Sequence, residues 1–352
     1  MSRLKFLLIP LRSDIRSTTV SAQLRAFLVR WRADKQGWSE EESSEYTLSP
    51  ADLEKINRRS AAYVSRLRQM PRADHLKSDE RVRLEPIKDG VNVRRIASET
   101  EADELAARLH EEMPWMGPAT EVAWHAMRRS ARLEARAFRL PPTLLVGPPG
   151  IGKTHWARSF SAMLRVPNAV IDAAAESASF AVVGLQRGWS NAATGRVVDL
   201  ILATKTGNPI ITVDELEKAG RISSNRGNSY ALTEAMLGLI ERSSAAHWTC
   251  PALQIPFDMS WISWVMTANS LNGLPEPFMS RCPPLMLGDL TVADLTAFAE
   301  REGNRRGLSG TSLEVIGEVL WKMGTNRHPI SLRAIIRMLD RAERLERSPM
   351  LH

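Results

Sequence analysis

The 352-residue sequence predicts an α/β fold, a mainly parallel five-stranded sheet between helices, with an all-helical subdomain after it and a mostly helical N-terminal module before it. From residue 143 to residue 287, short apolar runs alternate with helical segments, which is typical of a parallel sheet covered on both faces. Beyond residue 288 the apolar spacing is helical only. Residues 1–95 hold 20 Lys+Arg and 13 Asp+Glu, whereas the remainder is electrically balanced. The predicted domains are therefore 1–95, 96–288 and 289–352.

Composition excludes several classes of protein. The chain is 43% apolar and 25% charged with 20 glycines and 20 prolines, which argues against disordered, low-complexity and collagen-like chains. Its two cysteines, Cys250 and Cys282, form no CxxC pair, so neither a disulfide framework nor a zinc site is predicted. The apolar stretch at residues 4–11 is too short for a membrane span and lacks an export cleavage site. We expect a cytoplasmic protein without membrane contact.

Two helices are predicted in the N-terminal module. Val20, Leu24, Phe27, Leu28 and Trp31 follow one another at helical spacing. The second helix is expected to begin after Ser49 as its N-cap, with Pro50 in the first helical position. A Ser/Glu-rich break separates the two helices, and the charged residues 71–95 form the candidate linker to the following domain.

Helices are predicted at residues 99–112 and 118–136. The capping-box pair Ser98 and Glu101 indicates the start of the first of them. Buried strands are predicted at residues 143–146, 169–172, 209–213, 262–268 and 284–287. Helices between the strands are predicted at residues 152–164, 195–205 and 229–242. The all-helical subdomain is predicted to have helices at residues 292–305, 312–323 and 332–347.

The strongest motif lies between the first of these strands and the helix after it, and satisfies the pattern GxxxxGK[ST]. It consists of Gly147, Pro148, Pro149, Gly150, Ile151, Gly152, Lys153 and Thr154. Backbone N–H groups in such a loop, together with the N-terminus of the next helix, surround phosphate oxygens. Lys153 is expected to reach the β and γ phosphates of ATP, and the Thr154 hydroxyl to ligate Mg²⁺.

Two adjacent carboxylates, Asp214 and Glu215, follow the third strand of this series. Beside a phosphate-binding loop they supply what ATP hydrolysis still needs, a ligand for hydrated Mg²⁺ and a base for the attacking water. We assign Asp214 to the metal ion and Glu215 to the water. Glu217 is expected to be an exposed helix charge.

Together with Asn269, which ends the next strand, these motifs resemble those of an AAA+ ATPase. The resemblance is closer to the ATPase module of the ATP-dependent Lon protease family and covers roughly residues 98–347. It is carried further by residues 113–115, 184–189 leading to Gly195, 223–227, 257–260 and 275–281. It implies an AAA+ P-loop NTPase core with a helical lid, and ATP and Mg²⁺ as cofactors. Residues 1–95 lie outside it.

The resemblance implies roles for four further residues. Asn269 corresponds to the first sensor, which links the γ-phosphate and the attacking water to the sheet. Arg281 corresponds to an arginine finger that enters the ATP site of a neighbouring subunit, so a homo-oligomeric ring, a hexamer, is implied. Trp189 corresponds to a pore-loop aromatic that grips polypeptide, although a loop anchor is the alternative interpretation. Arg226 falls in a second pore loop.

Two features depart from the family. Ile330 stands where the second sensor arginine is expected, leaving Arg327 and Arg333 as neighbouring substitutes. The Lon peptidase domain, which follows the helical subdomain in that family, is not found before His352. We therefore expect any proteolysis to come from a partner in trans.

The leading prediction is an ATP-hydrolysing ring ATPase that remodels, unfolds or translocates a protein substrate. On this hypothesis residues 1–95 recruit the substrate, an adaptor or an effector subunit such as a peptidase or nuclease. The alternative is a nucleic-acid-remodelling or genome-defence ATPase that docks through its basic N-terminal module, where Trp31, Trp38, Tyr46 and Tyr63 accompany the positive charge. A nucleotide-switched scaffold with little turnover is the third hypothesis.

Overall fold

The computed structural model describes residues 2–11, 16–37, 47–69, 73–175, 178–188, 192–219, 221–223, 229–325 and 330–348. Five residues singled out in the sequence lie outside these ranges: Trp38, Tyr46, Trp189, Arg226 and Arg327.

A five-stranded parallel sheet forms the centre of the molecule, as predicted. The strands of the chain are β1 (Ser2–Leu4), β2 (Val91–Val93), β3 (Thr143–Val146), β4 (Asn168–Asp172), β5 (Ile210–Asp214), β6 (Arg221–Ser223), β7 (Ser229–Ala231), β8 (Trp248–Thr249), β9 (Pro256–Phe257), β10 (Ser263–Ala268) and β11 (Pro284–Met286). The central sheet has the order β11-β3-β10-β5-β4. Its register pairs Ala268 with Val146 and Asp172 with Asp214, so the carboxyl ends of the strands meet at one edge.

Helices cover both faces of this sheet and form the two terminal regions. They are α1 (Ser17–Gln36), α2 (Pro50–Gln69), α3 (Ser78–Leu84), α4 (Glu99–Glu112), α5 (Gly117–Arg132), α6 (Lys153–Leu164), α7 (Ala178–Val183), α8 (Arg196–Thr204), α9 (Leu232–Ile240), α10 (Arg242–Ala245), α11 (Glu276–Arg281), α12 (Val292–Arg306), α13 (Gly310–Thr325) and α14 (Leu332–Arg347). Short 3₁₀ turns occur at Glu85–Ile87, Pro114–Met116 and Leu216–Lys218. Among the described residues, no helix combines the length and apolarity needed to cross a bilayer.

Local sequence explains where several helices begin. The Ser98 hydroxyl accepts the Glu101 N–H at the start of α4, as in the predicted capping box. The Glu101 carboxylate accepts the N–H of Ala97 instead of that of Ser98, so the return hydrogen bond is shifted by one residue. The predicted helix at residues 229–242 is wrong at its start. Its first three residues form β7, which pairs antiparallel with β6, and α9 begins only at Leu232.

The N-terminal residues on either side of the first two helices are part of the α/β body. The rings of Phe6 and Phe257 lie 4.9 Å apart, and Leu84 and Ile87 are buried in the core that covers one face of the sheet. The β1 and β2 strands pair antiparallel. The predicted linker at residues 71–95 was therefore wrong over residues 73–93, because widely spaced apolar side chains among its charges fill this core.

The α1 and α2 helices form a hairpin. Val20, Ile56 and Val64 are buried, and the hydroxyls of Ser21 and Ser60 lie 2.8 Å apart. At the other end of the hairpin, Arg32 and Asp52 form an ion pair of 2.9 Å. These contacts hold the two helices side by side.

The last three helices, α12 to α14, form a lid with a core of its own around Leu295, Leu320 and Ile335. The lid contacts the glycine-rich loop directly, because the N–H of Leu332 donates to the Gly150 carbonyl at 3.0 Å. A Cβ atom on Gly150 would lie 2.6 Å from the Cβ of Ser331, so only glycine allows this approach.

Candidate active site

The glycine-rich loop, residues 147–154, leaves the carboxyl end of β3 and enters α6, where ligands bind in open α/β sheets. Gly150 and Gly152 have φ values of +81° and +98°, a left-handed region that side chains disfavour. Gly152 is the N-cap of α6 and has no side chain to accept the N–H groups of the first turn. Those groups are available to an anion, which the positive end of the helix also favours.

Lys153 is the cation of the site and is only 7% exposed. Its Nζ donates to the carbonyls of Gly147 and Pro148 at 2.6 and 2.9 Å, and to Oδ1 of Asn269 at 3.1 Å. Burial lowers the pKa of Lys153, while the nearby carboxylates of Glu217, Asp214 and Glu215 act in the opposite direction. A desolvated ammonium held this way is suited to an anionic ligand.

Asp214 ends β5 and accepts hydrogen bonds from two hydroxyls. The Thr154 Oγ1 donates to Asp214 Oδ1 at 2.9 Å, and Thr267 on the neighbouring β10 donates to the same oxygen. Hydroxyl and carboxylate oxygens are the ligands that Mg²⁺ prefers, so Thr154 and Asp214 fit the predicted metal role. Thr267 was not predicted from the sequence, where its only signal is that it is a polar residue, with Ser263, in a mainly apolar strand.

Glu215 follows Asp214 in a left-handed backbone conformation, with φ of +56°. Its N–H donates to Thr267 Oγ1 at 3.2 Å, and its carboxylate accepts Lys218 Nζ at 2.8 Å. This turn carries the Glu215 side chain to the wall of the cavity instead of continuing the strand direction. Strained backbone of this kind is concentrated at functional sites.

Glu217 was expected to be an exposed helix charge, and this was wrong. It is half-buried, and its Oε1 accepts Nδ2 of Asn269 at 2.8 Å. Its Oε2 is buried and has no hydrogen-bond partner among the described residues. Because such an oxygen is costly to leave unpaired, Glu217 favours a water molecule or ligand at this position. Asn269 therefore lies between Lys153 and Glu217.

A cavity of about 880 Å³, within the range that small-molecule sites occupy, is lined on the sheet side by Lys153, Thr154, Asp214, Glu215, Thr267 and Asn269. The wall opposite the sheet comes from the lid. The lid residues are Phe298, Arg301, Glu302, Arg305, Arg306, Leu332, Arg333 and Ile336. Arg301 donates to the backbone carbonyls of Glu111 at 2.8 Å and of Glu112, which ties α12 to α4. Sequence analysis missed the arginines of α12, although their repeat at helical spacing was visible.

The lid contains the position at which the second sensor arginine is expected. Ile330 packs against the lid core, whereas Arg333, the second residue of α14, lines the cavity. Of the two substitutes considered, Arg333 is thus the one placed at the cavity, and Arg327 lies outside the described residues.

Arg281 ends α11 and is not among the residues that line this cavity. Its Nη1 donates to the Pro277 carbonyl at 3.0 Å, and its Nε lies 3.5 Å from Glu241 Oε2. The side chain is 44% exposed. An arginine that acts on a neighbouring subunit has to be accessible in this way.

Comparison with known proteins gives a match to one family model, "ATPase family associated with various cellular activities (AAA)", over residues 143–289. The mitochondrial Lon protease homologue of Homo sapiens is 30% identical over 155 residues, which are 44% of this chain and 16% of that protein. The Lon protease of Treponema pallidum is 30% identical over 158 residues, 45% of this chain and 17% of the relative. The peroxisomal Lon protease homologue 2 of Pichia angusta is 27% identical over 197 residues, 54% of this chain and 21% of the relative.

The chain thus spans about a fifth or less of the length of these relatives. The family match covers β3 to β11, and so contains the glycine-rich loop, the carboxylates after β5 and the asparagine after β10. Residues 143–289 of this chain thus match the AAA family model, and the chain is similar over 155–158 residues to Lon proteases.

Proposed function

We propose that this chain is a Mg²⁺-dependent ATPase. The observation that carries the proposal is the convergence of Lys153, Thr154, Asp214, Glu215 and Asn269 on one cavity. The N–H groups of the glycine-rich loop and Lys153 hold the phosphates of ATP. Lys153 now donates to backbone carbonyls and Asn269, and phosphate oxygens are the stronger acceptors for it.

Thr154 and Asp214 would hold Mg²⁺, which neutralises charge on the phosphates. Glu215 takes the proton of the attacking water, and Asn269 orients that water through its amide. The unpaired Glu217 oxygen beside Asn269 supports a further ordered water there. Arg333 contacts the nucleotide from the lid and takes the place of the absent second sensor.

The relatives suggest assembly into an oligomeric ring, and we propose a hexamer. Arg281 of each subunit then completes the site of its neighbour, since it does not line the cavity of its own chain. We further propose that the ring remodels a protein substrate. The relatives are named as Lon proteases, and the loop at residues 184–195 carries Trp189 as the polypeptide-gripping aromatic. Peptidase activity is not part of the proposal, because the alignments cover only the ATPase module.

Polypeptide remodelling predicts that a permanently unfolded, carboxymethylated model protein stimulates ATP hydrolysis, and that ATP hydrolysis drives unfolding of a tagged folded protein. In the Trp189→Ala variant, we expect at least a tenfold loss of stimulation and unfolding, because an aromatic contact to polypeptide is removed. Basal hydrolysis should stay near the wild-type rate. Trp321→Ala, which removes an exposed tryptophan of the lid, is the matched control.

Active hydrolysis without any response to polypeptide would leave the ATPase assignment intact and overturn the remodelling assignment. Equal losses in Trp189→Ala and Trp321→Ala would also count against Trp189 as the gripping residue.

Docking of nucleic acid through the α1–α2 hairpin is a second candidate function, favoured by its charge. The two helices carry nine Lys+Arg and three Asp+Glu, hence six of the seven net positive charges of the chain. Seven of these basic side chains are exposed: Arg25, Arg30, Lys35, Lys55, Arg58, Arg59 and Arg66. Trp31 is 49% exposed and can stack on a base. The segment that joins the helices adds four glutamates, which oppose binding.

This candidate predicts that the full chain binds a fluorescent 20-nucleotide single strand with an affinity that falls steeply as salt rises. Replacing Arg58 and Arg59 by Gln should reduce the magnitude of the slope of log K against log salt by about 0.7 for each arginine that pairs with a phosphate of the single strand in the wild type. The control is Arg108→Gln with Arg129→Gln, two exposed arginines of the α/β body. Binding that is absent, or equally reduced in both double variants, would remove this function.

A further inference from the structure

The two limbs of the loop at residues 184–195 are held together at their base. The N–H of Leu185 donates to the Ala193 carbonyl at 2.9 Å. A Cβ on Gly184 would lie 2.6 Å from the Ala193 carbonyl oxygen, and one on Gly195 would lie 2.3 Å from the Val182 oxygen. The two limbs are therefore joined at the base, and a contact that holds one limb also restrains the other.

The α3 helix contacts both limbs through two side chains one turn apart. Glu80 accepts Nη2 of Arg187 on the outgoing limb at 3.0 Å. Arg83 donates to Thr194 Oγ1 on the returning limb at 3.1 Å and pairs with Asp199, at the start of α8, at 2.5 Å. Residues three apart share one helix face, so both contacts leave α3 from the same side.

The Glu80–Arg187 pair is partly desolvated. The two side chains are 22% and 23% exposed, and Nη1 of Arg187 is buried without a hydrogen-bond partner among the described residues. The backbone N–H of Arg187 donates to the Pro251 carbonyl at 3.1 Å. A partly buried guanidinium is destabilised when its carboxylate partner is removed. The loss of Glu80 should therefore weaken the packing of Arg187 in its present position. A cavity of about 640 Å³ lies beside the pair, and both Glu80 and Arg187 line it.

The α3 helix and the residues that flank it pack against the α/β body. Leu84 and Ile87 are buried in the core, and a ring nitrogen of His75 lies 2.8 Å from the Leu253 carbonyl oxygen. Arg81 closes the turn before α3 by donating to the carbonyls of Leu76 and Ala73. In the chain, α3 follows the α1–α2 hairpin after eight residues. It is the first described helix after the basic hairpin.

We propose that α3 is a clamp that orients the loop at residues 184–195, with Glu80 and Arg83 as positioning residues. The positioning of the loop by α3 does not depend on the proposed function. Its effect on substrate binding rests on the proposed contact of this loop with polypeptide.

Hydrogen exchange on the full chain tests the mechanics. Glu80→Gln removes the charge with little change in shape, and we expect about tenfold faster exchange at the amides of Leu185 and Arg187. The swap of Glu80→Arg with Arg187→Glu should restore slow exchange, because the pair is rebuilt in the opposite sense. Glu318→Gln, which breaks an exposed pair on α13, is the matched control. Unchanged exchange in both Glu80→Gln and Arg83→Gln would overturn the clamp.

The effect of the clamp on substrate binding is tested with the carboxymethylated model protein. For Glu80→Gln, its half-maximal stimulating concentration should rise about tenfold, since a loosely held loop binds less well, while basal hydrolysis is unchanged. The charge swap should reverse the rise. Faster exchange without this rise would overturn the link to substrate. A wild-type protein that ignores polypeptide, with exchange still responding to Glu80→Gln, would remove the remodelling function and leave the clamp standing.

Discussion

Glu215→Gln is expected to lower the rate of ATP hydrolysis by about 10²–10⁴-fold, because the variant keeps its size but loses the base that takes the proton of the attacking water. Binding of MgATP should change by no more than a few-fold, since Lys153, Thr154 and Asp214 remain in place. Phosphate release in the steady state measures the first quantity, and titration with a fluorescent ATP analogue measures the second.

The control for this experiment is Glu121→Gln, which removes an exposed carboxylate on α5 away from the cavity. It should hydrolyse ATP like the wild type. Because Glu215→Gln binds nucleotide without turnover, it should also accumulate assembled rings that electron microscopy can count. Wild-type turnover by Glu215→Gln would show that another group acts as the base and would contradict the assignment.

Arg281→Ala is expected to reduce hydrolysis by about 10³-fold or more, the scale of arginine fingers in other nucleotide hydrolases. In the proposed ring, the charge that this variant removes would reach the phosphates of a neighbouring subunit. The variant should therefore bind MgATP normally and still assemble. Wild-type activity per subunit should also rise with protein concentration, because an isolated subunit has an incomplete site.

Mixing variants separates a finger in trans from a structural arginine. Lys153→Ala loses its own nucleotide site but keeps its finger, whereas Arg281→Ala keeps its site but lacks the finger. Activity should reappear when the two inactive proteins are mixed, since some sites then combine an intact cavity with an intact arginine. If mixing restores nothing and Arg281→Ala merely lowers the melting temperature, its contacts with Glu241 and Pro277 are its whole role.

The sequence predicted the sheet and the phosphate loop because both depend on local signals. Strands buried on both faces are continuous apolar runs, and all five predicted runs overlap the central strands. The loop pattern needs glycines at fixed positions, and Gly150 and Gly152 do adopt left-handed backbone. Helix boundaries within the lid also follow local caps, such as Thr291 with Asp294 at the start of α12.

Features set by distant contacts were not predicted. Glu217 was assigned to solvent because nothing near it in sequence indicates Asn269, 52 residues away, as its partner. The charged stretch at residues 73–93 was assigned to a linker because its few apolar residues are buried only by the α/β body. A nearer contact also overrode the sequence pattern: the predicted helix at residues 229–242 lost its first turn to antiparallel pairing with β6, which ends only six residues before β7 begins.

By itself, the sequence determined that this protein has an AAA-type phosphate loop followed by carboxylates at strand ends, because glycine positions and strand burial are local properties. Only the tertiary structure decided that Arg333 lines the cavity while Ile330 packs against the lid core, and that α3 contacts both limbs of the loop at residues 184–195. The α3 pairings join residues more than 100 positions apart, and their distance depends on how the sheet and the N-terminal segment pack together.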